Sequence, residues 1–194
     1  MSGLRCRAPL VAFGGLVLLT FGVSCGRDHA APDNAHADSA NTRVAMSVRA
    51  TGEREDPFAG IVLQDTQGAS VPLNGYKGKV RLFDLWASWC GPCRMGIPHL
   101  NRLYESYRER GLVVIGVSID ARPEDVVEFT RSVPIRYPSG MMNPQLEALV
   151  GYPDAVPTTL LVDRTGRMRR RFLGYVDPAV IEREVVKFLD STAP

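Results

Sequence analysis

The stretch Trp86-Ala87-Ser88-Trp89-Cys90-Gly91-Pro92-Cys93 decides how the rest of the chain is read. It follows Val80 to Ala87, a run apolar and aromatic enough for a buried strand, and it opens a helix. That helix is expected over Cys90 to Arg110, because Ile97, Leu100, Leu103, Tyr104 and Tyr107 fall on one face at spacings of three and four. Cys90 therefore stands at a helix N-terminus. Unpaired backbone N–H groups and the helix dipole there favour a thiolate, the nucleophilic form of the thiol. Cys93 comes nearly one turn later, which brings its sulfur within bonding reach of Cys90. Pro92 lacks an N–H and suits the first helical turn. Such a pair can attack a partner disulfide through Cys90 and resolve the mixed disulfide through Cys93.

Other uses of two close cysteines fit less well. A zinc site needs about four ligands, and the chain holds no second cysteine pair. His99 is the only nearby histidine and reads as a surface residue. Covalent haem attachment needs His directly after the second Cys, where Arg94 stands. An inert structural disulfide does not need the strand–turn–helix setting. Cys6 and Cys25, the remaining cysteines, lie in or at the end of a presumed export signal.

Outward from the motif the pattern alternates strands and helices. Upstream, Ile61–Leu63 and Val71–Leu73 flank Asp65-Thr66-Gln67-Gly68 as a hairpin. Pro98 is expected to kink the first helix, and Gly111 to cap its end. Downstream come a continuous apolar strand over Leu112–Ile119, a helix over Pro123–Val133, a short strand at Ile135–Tyr137 and a short helix over Pro144–Val150. A second hairpin, Thr158–Val162 with Met168–Leu173, precedes a last helix over Asp177–Leu189, N-capped by Asp177. This order predicts an α/β domain, a mixed sheet with helices on both faces.

Asp84 sits on the buried strand six residues before Cys90. If it is desolvated, its pKa rises and it can trade a proton with Cys93 near neutral pH. A solvent-facing Asp, or one satisfied by backbone donors, is the other reading. Ala155-Val156-Pro157-Thr158 precedes a strand; X–Pro bonds are cis only about 5–6% of the time, so these residues alone favour trans. Arg167, Arg169, Arg170 and Arg171 read as a solvated strand, and Met141-Met142 as core or loop filling. Trp89 is expected to shield the sulfur of Cys90 and line a docking surface.

At the N-terminus, residues 1–25 have the form of an export signal: basic Arg5 and Arg7, then an apolar run from Leu10 to Val23 of about fourteen residues. The end, Val23-Ser24-Cys25, resembles a bacterial lipoprotein signal with Cys25 as the lipidated residue. An uncleaved helical anchor, or ordinary cleavage near Ala35-His36-Ala37, would equally place the domain outside the cytoplasm. Residues 26–56 are polar and read as a flexible linker, with His29 and His36 as solvated linker residues, and 57–194 as the folded domain. The chain carries 23 basic and 21 acidic residues, and the excess of two is Arg5 and Arg7. That balance removes any charge-based case for a nucleic-acid partner.

Taken together, Trp89-Cys90-Gly91-Pro92-Cys93 between strand and helix, Pro98, and Val156-Pro157-Thr158 in this order resemble the thioredoxin superfamily. The hairpin before the motif and the extra segment around 120–150 are similar to its membrane-anchored TlpA/ResA-like branch. The resemblance spans roughly residues 57 to 190. It implies a thioredoxin-like three-layer α/β/α fold with an N-terminal β-hairpin. It implies further that Pro157 is cis and faces the cysteines, and that Val156 offers backbone hydrogen bonds to a partner peptide. Substrate contacts are then expected at Trp89, Gly91, Pro92, Val156 and Pro157, with Cys90, Cys93 and Asp84 carrying the chemistry. Two positions depart from the branch. Gly96 replaces a Glu often found three residues after the second Cys, which weakens a specific role in cytochrome c assembly. Asp84 matches the buried Asp of thioredoxin itself, where the branch often has Asn.

The implied activity is extracytoplasmic thiol-disulfide exchange with protein substrates, in the reducing direction. A membrane-embedded donor supplies electrons, the chain acts as a monomer, and no cofactor or metal is needed beyond the Cys90–Cys93 disulfide. A peroxidase and a tethered metal-binding module are the alternatives. The first uses a lone nucleophilic Cys in another context, and the second generally has wider cysteine spacing and a distal His.

Overall fold

The computed structural model describes residues 55–191. The export signal, Cys25, His29, His36 and the linker up to residue 54 lie outside the described residues. The elements run β1 (Val62–Gln64), β2 (Ser70–Pro72), β3 (Val80–Trp86), α1 (Gly91–Tyr107), β4 (Leu112–Ser118), α2 (Pro123–Ser132), β5 (Ser139–Met141), α3 (Pro144–Val150), β6 (Thr158–Val162), β7 (Met168–Leu173) and α4 (Pro178–Asp190).

β1 and β2 form the expected antiparallel hairpin. Its turn is tied by Asp65, whose Oδ1 accepts from the N–H groups of Gln67 and Ala69 at 2.8 Å each. The other five strands make one mixed sheet in the order β5-β4-β3-β6-β7. β3 lies at its centre, parallel to β4 and antiparallel to β6, with all seven residues buried. Burial on both faces explains the nearly unbroken apolar runs of β3 and β4. The arginine-rich β7 takes an outer position, where a charged strand resists pairing with other chains.

Side-chain alternation divides the core into two layers. Val80 and Leu82 of β3, with Leu112, Val114 and Leu161, meet Leu100 and Leu103 of α1 and Ile181, Val185 and Leu189 of α4. Phe83 and Leu85 point the other way with Val113, Ile115, Val117 and Leu160, under Leu146 and Val150 of α3 and Leu63 of the hairpin. A third cluster gathers where β3 ends. There Trp86, Cys90, Cys93 and Ile97 pack against Val126 and Phe129 of α2. The three-layer reading therefore holds, with the hairpin sharing one face with α3.

Two boundaries differ from expectation. The short strand expected at Ile135–Tyr137 forms instead at Ser139–Met141. Two prolines, Pro134 and Pro138, bracket the earlier segment and supply no N–H to a ladder. The ring of Tyr137 turns into the core, where it is 4% exposed. Asp56, assigned above to the linker, is also inside the domain. It is 6% exposed, and its Oδ2 lies 2.8 Å from Nη1 of the fully buried Arg81. α1 runs through Pro98 without interruption, and Gly111 ends the turn after it in the left-handed conformation, φ 96°.

Candidate active site

The site forms where β3 stops. Cys90 has extended backbone angles (φ −86°, ψ 104°) and is the N-cap of α1. Its Sγ accepts a hydrogen bond from the Cys93 N–H at 3.1 Å. A sulfur in that position receives a donor that the helix itself cannot satisfy, and this favours the thiolate once the pair is reduced. The two sulfurs are bonded to each other, with Cα atoms 5.3 Å apart. Gly91 and Pro92 are exposed, and Trp89 is 70% exposed beside them. Trp89 thus lies open at the surface next to Cys90.

The turn carrying Cys90 is held by a residue to which the sequence motifs do not point. Asp120 accepts from the Ser88 N–H at 2.9 Å and the Ser88 Oγ–H at 2.6 Å. The Ser118 Oγ–H donates to it at 2.7 Å. Because β4 is in register with β3, Ser118 lies opposite Trp86, and Asp120 reaches the first residues past the strand. The only signal in the sequence is an Asp just after a buried strand, which stands at the level of the cysteines only if the two strands are parallel neighbours.

Behind Cys93 lies a cavity of about 270 Å³ lined by Asp84, Cys93, His99, Pro157, Tyr175 and Glu182, among others. It brings Asp84, Cys93 and Pro157 together. His99, read above as a surface residue, is half-buried and lines this cavity, because its turn of α1 faces α4. The Val156–Pro157 bond is cis. The Pro157 carbonyl accepts from the Gly174 N–H at 2.8 Å, and Val156 packs partly buried against the cluster that contains both cysteines.

Asp84 is 2% exposed, so the solvated reading of this residue is excluded. Burial pushes its carboxyl up to about 7, against the opposing effect of a hydrogen bond from the Tyr137 hydroxyl. A carboxyl poised near neutral pH can accept and return a proton. Among the described residues no group of three His, Cys, Asp or Glu side chains is placed to hold a metal ion. The arginines of β7 have partners within the domain: Arg169 pairs with Asp163, Arg170 with Glu184, and Arg171 donates to the Val150 carbonyl. Met141 and Met142 are half-buried against two of the core clusters.

The same burial makes a stability prediction. An unfolded Asp loses its proton near pH 3.9, whereas folded Asp84 keeps its proton to about pH 7. Between those values unfolding releases a proton, so stability falls as pH rises through the window. Asp84→Asn should therefore be more stable than the parent at pH 8 by about 2–4 kcal/mol, and nearly equal to it at about pH 3.5, below the window. Urea unfolding at the two pH values measures this. A constant difference between the two proteins at both pH values would rule out the buried, proton-holding carboxyl.

Comparison with known proteins agrees with the geometry. The model of the AhpC/TSA family matches residues 55–186. The thiol-disulfide oxidoreductase ResA of Geobacillus thermodenitrificans is 27% identical over 134 residues, covering 69% of this chain and 74% of its own. A solved structure described as thiol:disulfide interchange protein DsbE, from Chlorobium tepidum, is 31% identical and superposes with a TM-score of 0.61, covering 66% of this chain and 92% of that one. The thioredoxin domain of a thiol-disulfide oxidoreductase from Bacteroides vulgatus is 28% identical with a TM-score of 0.57, covering 67% and 93%. No helix among the described residues is long and apolar enough to cross a membrane. The chain belongs to the AhpC/TSA family, and within the thioredoxin superfamily it is a ResA-like thiol-disulfide oxidoreductase.

Proposed function

We propose that this protein reduces disulfides in protein substrates outside the cytoplasm, tethered to a membrane through lipidated Cys25 or an uncleaved N-terminal anchor. The observation that carries the chemistry is the asymmetry of the two cysteines. Cys90 caps the helix and receives the Cys93 N–H, while Cys93 lines the cavity with Asp84.

In the reduced form the Cys90 thiolate attacks one sulfur of the substrate disulfide. The substrate S–S bond breaks, a mixed disulfide forms, and one substrate thiolate leaves. Cys93 then loses its proton to Asp84 and attacks Cys90 Sγ. The Cys90–Cys93 bond closes and the second substrate thiolate is released, where it takes up a proton. Two electrons pass from this chain to the substrate, and a membrane-embedded dithiol donor restores the reduced pair. Trp89, Gly91, Pro92, Val156 and Pro157 would border the bound substrate segment. The disulfide is itself the redox group, so the reaction calls for no further cofactor, and the chain works as a monomer.

The reducing direction rests on Gly91-Pro92 between the cysteines, which resembles reducing thioredoxins. Equilibration of the purified domain with a dithiothreitol or glutathione couple should give a midpoint near about −270 mV. A midpoint above about −150 mV would make the protein an oxidant and end this reading.

A further inference from the structure

The structure brings one buried group to Asp84 that the reaction described above does not use, the phenol of Tyr137. Its hydroxyl donates to Asp84 Oδ2 at 3.1 Å, across 53 residues of sequence. Among the described residues no other hydrogen bond reaches this carboxyl.

Two neighbouring elements, α1 and β4, are shaped to deliver that ring. On α1, the buried Asn101 grips the Tyr137 segment twice: its Nδ2–H donates to the Pro134 carbonyl at 2.8 Å, and its Oδ1 accepts from the Arg136 N–H at 2.8 Å. On β4, the Gly116 N–H donates to the Pro138 carbonyl at 2.8 Å. Gly116 is also the residue paired with Asp84 across β3 and β4. A Cβ at Gly116 would lie 3.0 Å from Tyr137 Cε2 and 2.8 Å from Ser139 Oγ. The missing side chain is therefore the space through which the ring approaches the carboxyl. Tyr104 of α1 closes the far side in an edge-to-face contact, ring centroids 6.5 Å apart. Packing alone would be served by Phe; a buried hydroxyl needs a partner, and the one it has is the carboxyl beside the cysteines.

We propose that Tyr137 is a positioning residue for disulfide exchange: it holds Asp84 Oδ2, leaves Oδ1 as the oxygen that takes the Cys93 proton, and favours the ionised carboxylate. The proposal rests on the reading of Asp84 as proton acceptor. The other titratable or charged groups bordering the cavity near Asp84 are Cys93, His99 and Arg102 from α1, Tyr175 after β7, and Glu182 from α4; Thr159 faces it from β6. None of these donates a hydrogen bond to it.

The test is stopped-flow reaction of the reduced protein with dithionitrobenzoate over a range of pH. Attack by Cys90 releases a first coloured thiolate, and attack by Cys93 on the resulting mixed disulfide releases a second. The parent's second phase should show a midpoint near pH 7. Tyr137→Phe removes a hydrogen bond to the ionised form, which should move that midpoint up by about one pH unit and leave the first phase unchanged. Asp84→Asn should abolish the midpoint. A carbon NMR titration of the Asp84 carboxyl in parent and Tyr137→Phe proteins should show the same upward displacement. If Asp84→Asn changes the second phase but Tyr137→Phe leaves both the midpoint and the NMR titration in place, the role of Tyr137 is refuted and that of Asp84 stands. If Asp84→Asn leaves the second phase unaltered, the proton-acceptor reading falls, and the role of Tyr137 falls with it.

Discussion

Cys90→Ser should reduce turnover of a disulfide substrate such as insulin to background, a loss of roughly 10³-fold or more. The hydroxyl that replaces the thiol is a far weaker nucleophile at neutral pH, and the helix terminus cannot make up the difference. Cys93→Ser should behave differently. Cys90 keeps its place as N-cap, and the residue 93 N–H still points at its sulfur. The first attack therefore proceeds, but nothing resolves its product, and the protein accumulates as a mixed disulfide with its substrate. Mass spectrometry of each variant after incubation with substrate distinguishes the two. Persistent turnover by Cys90→Ser, or adducts on Cys93 in that variant, would reverse the assignment of the two sulfurs. The same Cys93→Ser protein, expressed in cells, identifies the natural partner by the adduct it retains.

The largest effect on stability is expected far from the cysteines. Asp56→Ala should lower unfolding free energy by about 3–5 kcal/mol, because it leaves the Arg81 guanidinium buried without its counter-charge. Arg81 is 0% exposed in the central strand, its Nη1 is 2.8 Å from Asp56 Oδ2, and its Cζ lies 4.8 Å over the Phe58 ring. Its Nε and Nη2 find no acceptor among the described residues, so the carboxylate is its principal compensation. Asp56 is seated firmly as well: Oδ1 accepts from the Phe58 N–H at 3.0 Å, and a Cβ at Gly166 of the second hairpin would approach that oxygen to 2.8 Å. For a domain of this size the loss corresponds to a fall in Tm of roughly 10–20 °C. The double variant Asp56→Ala/Arg81→Met should recover most of it, since removing both charges also removes the cost of burying one. A loss under about 1 kcal/mol in the single variant would show that Arg81 reaches solvent.

The hairpins, the four helices and the two central strands are legible in the amino-acid order, because each rests on neighbours a few residues apart. Asp163 shows how local such signals are: its Oδ1 accepts from the Thr165 and Arg167 N–H groups at 2.9 and 3.0 Å, all inside the turn it predicts. The short strand at Ser139–Met141 is not legible in this way, because three residues carry almost no periodicity and their place is chosen by β4. The linker boundary falls one residue earlier than composition suggests, because Asp56 looks like any polar linker residue until Arg81 stands beside it.

By itself the sequence determined the close cysteine pair and the element that presents it. A strand, a tight turn and a helix start are written in consecutive residues, and so is the three-residue separation that lets two sulfurs meet. Only the tertiary structure decided what surrounds that pair. Asp84 and Tyr137 are 53 residues apart, Ser88 and Asp120 are 32, and nothing in either local segment encodes the meeting. The register of β3 on β4 sets both contacts, and with them whether a carboxyl is solvated and acidic or buried and poised near neutral pH.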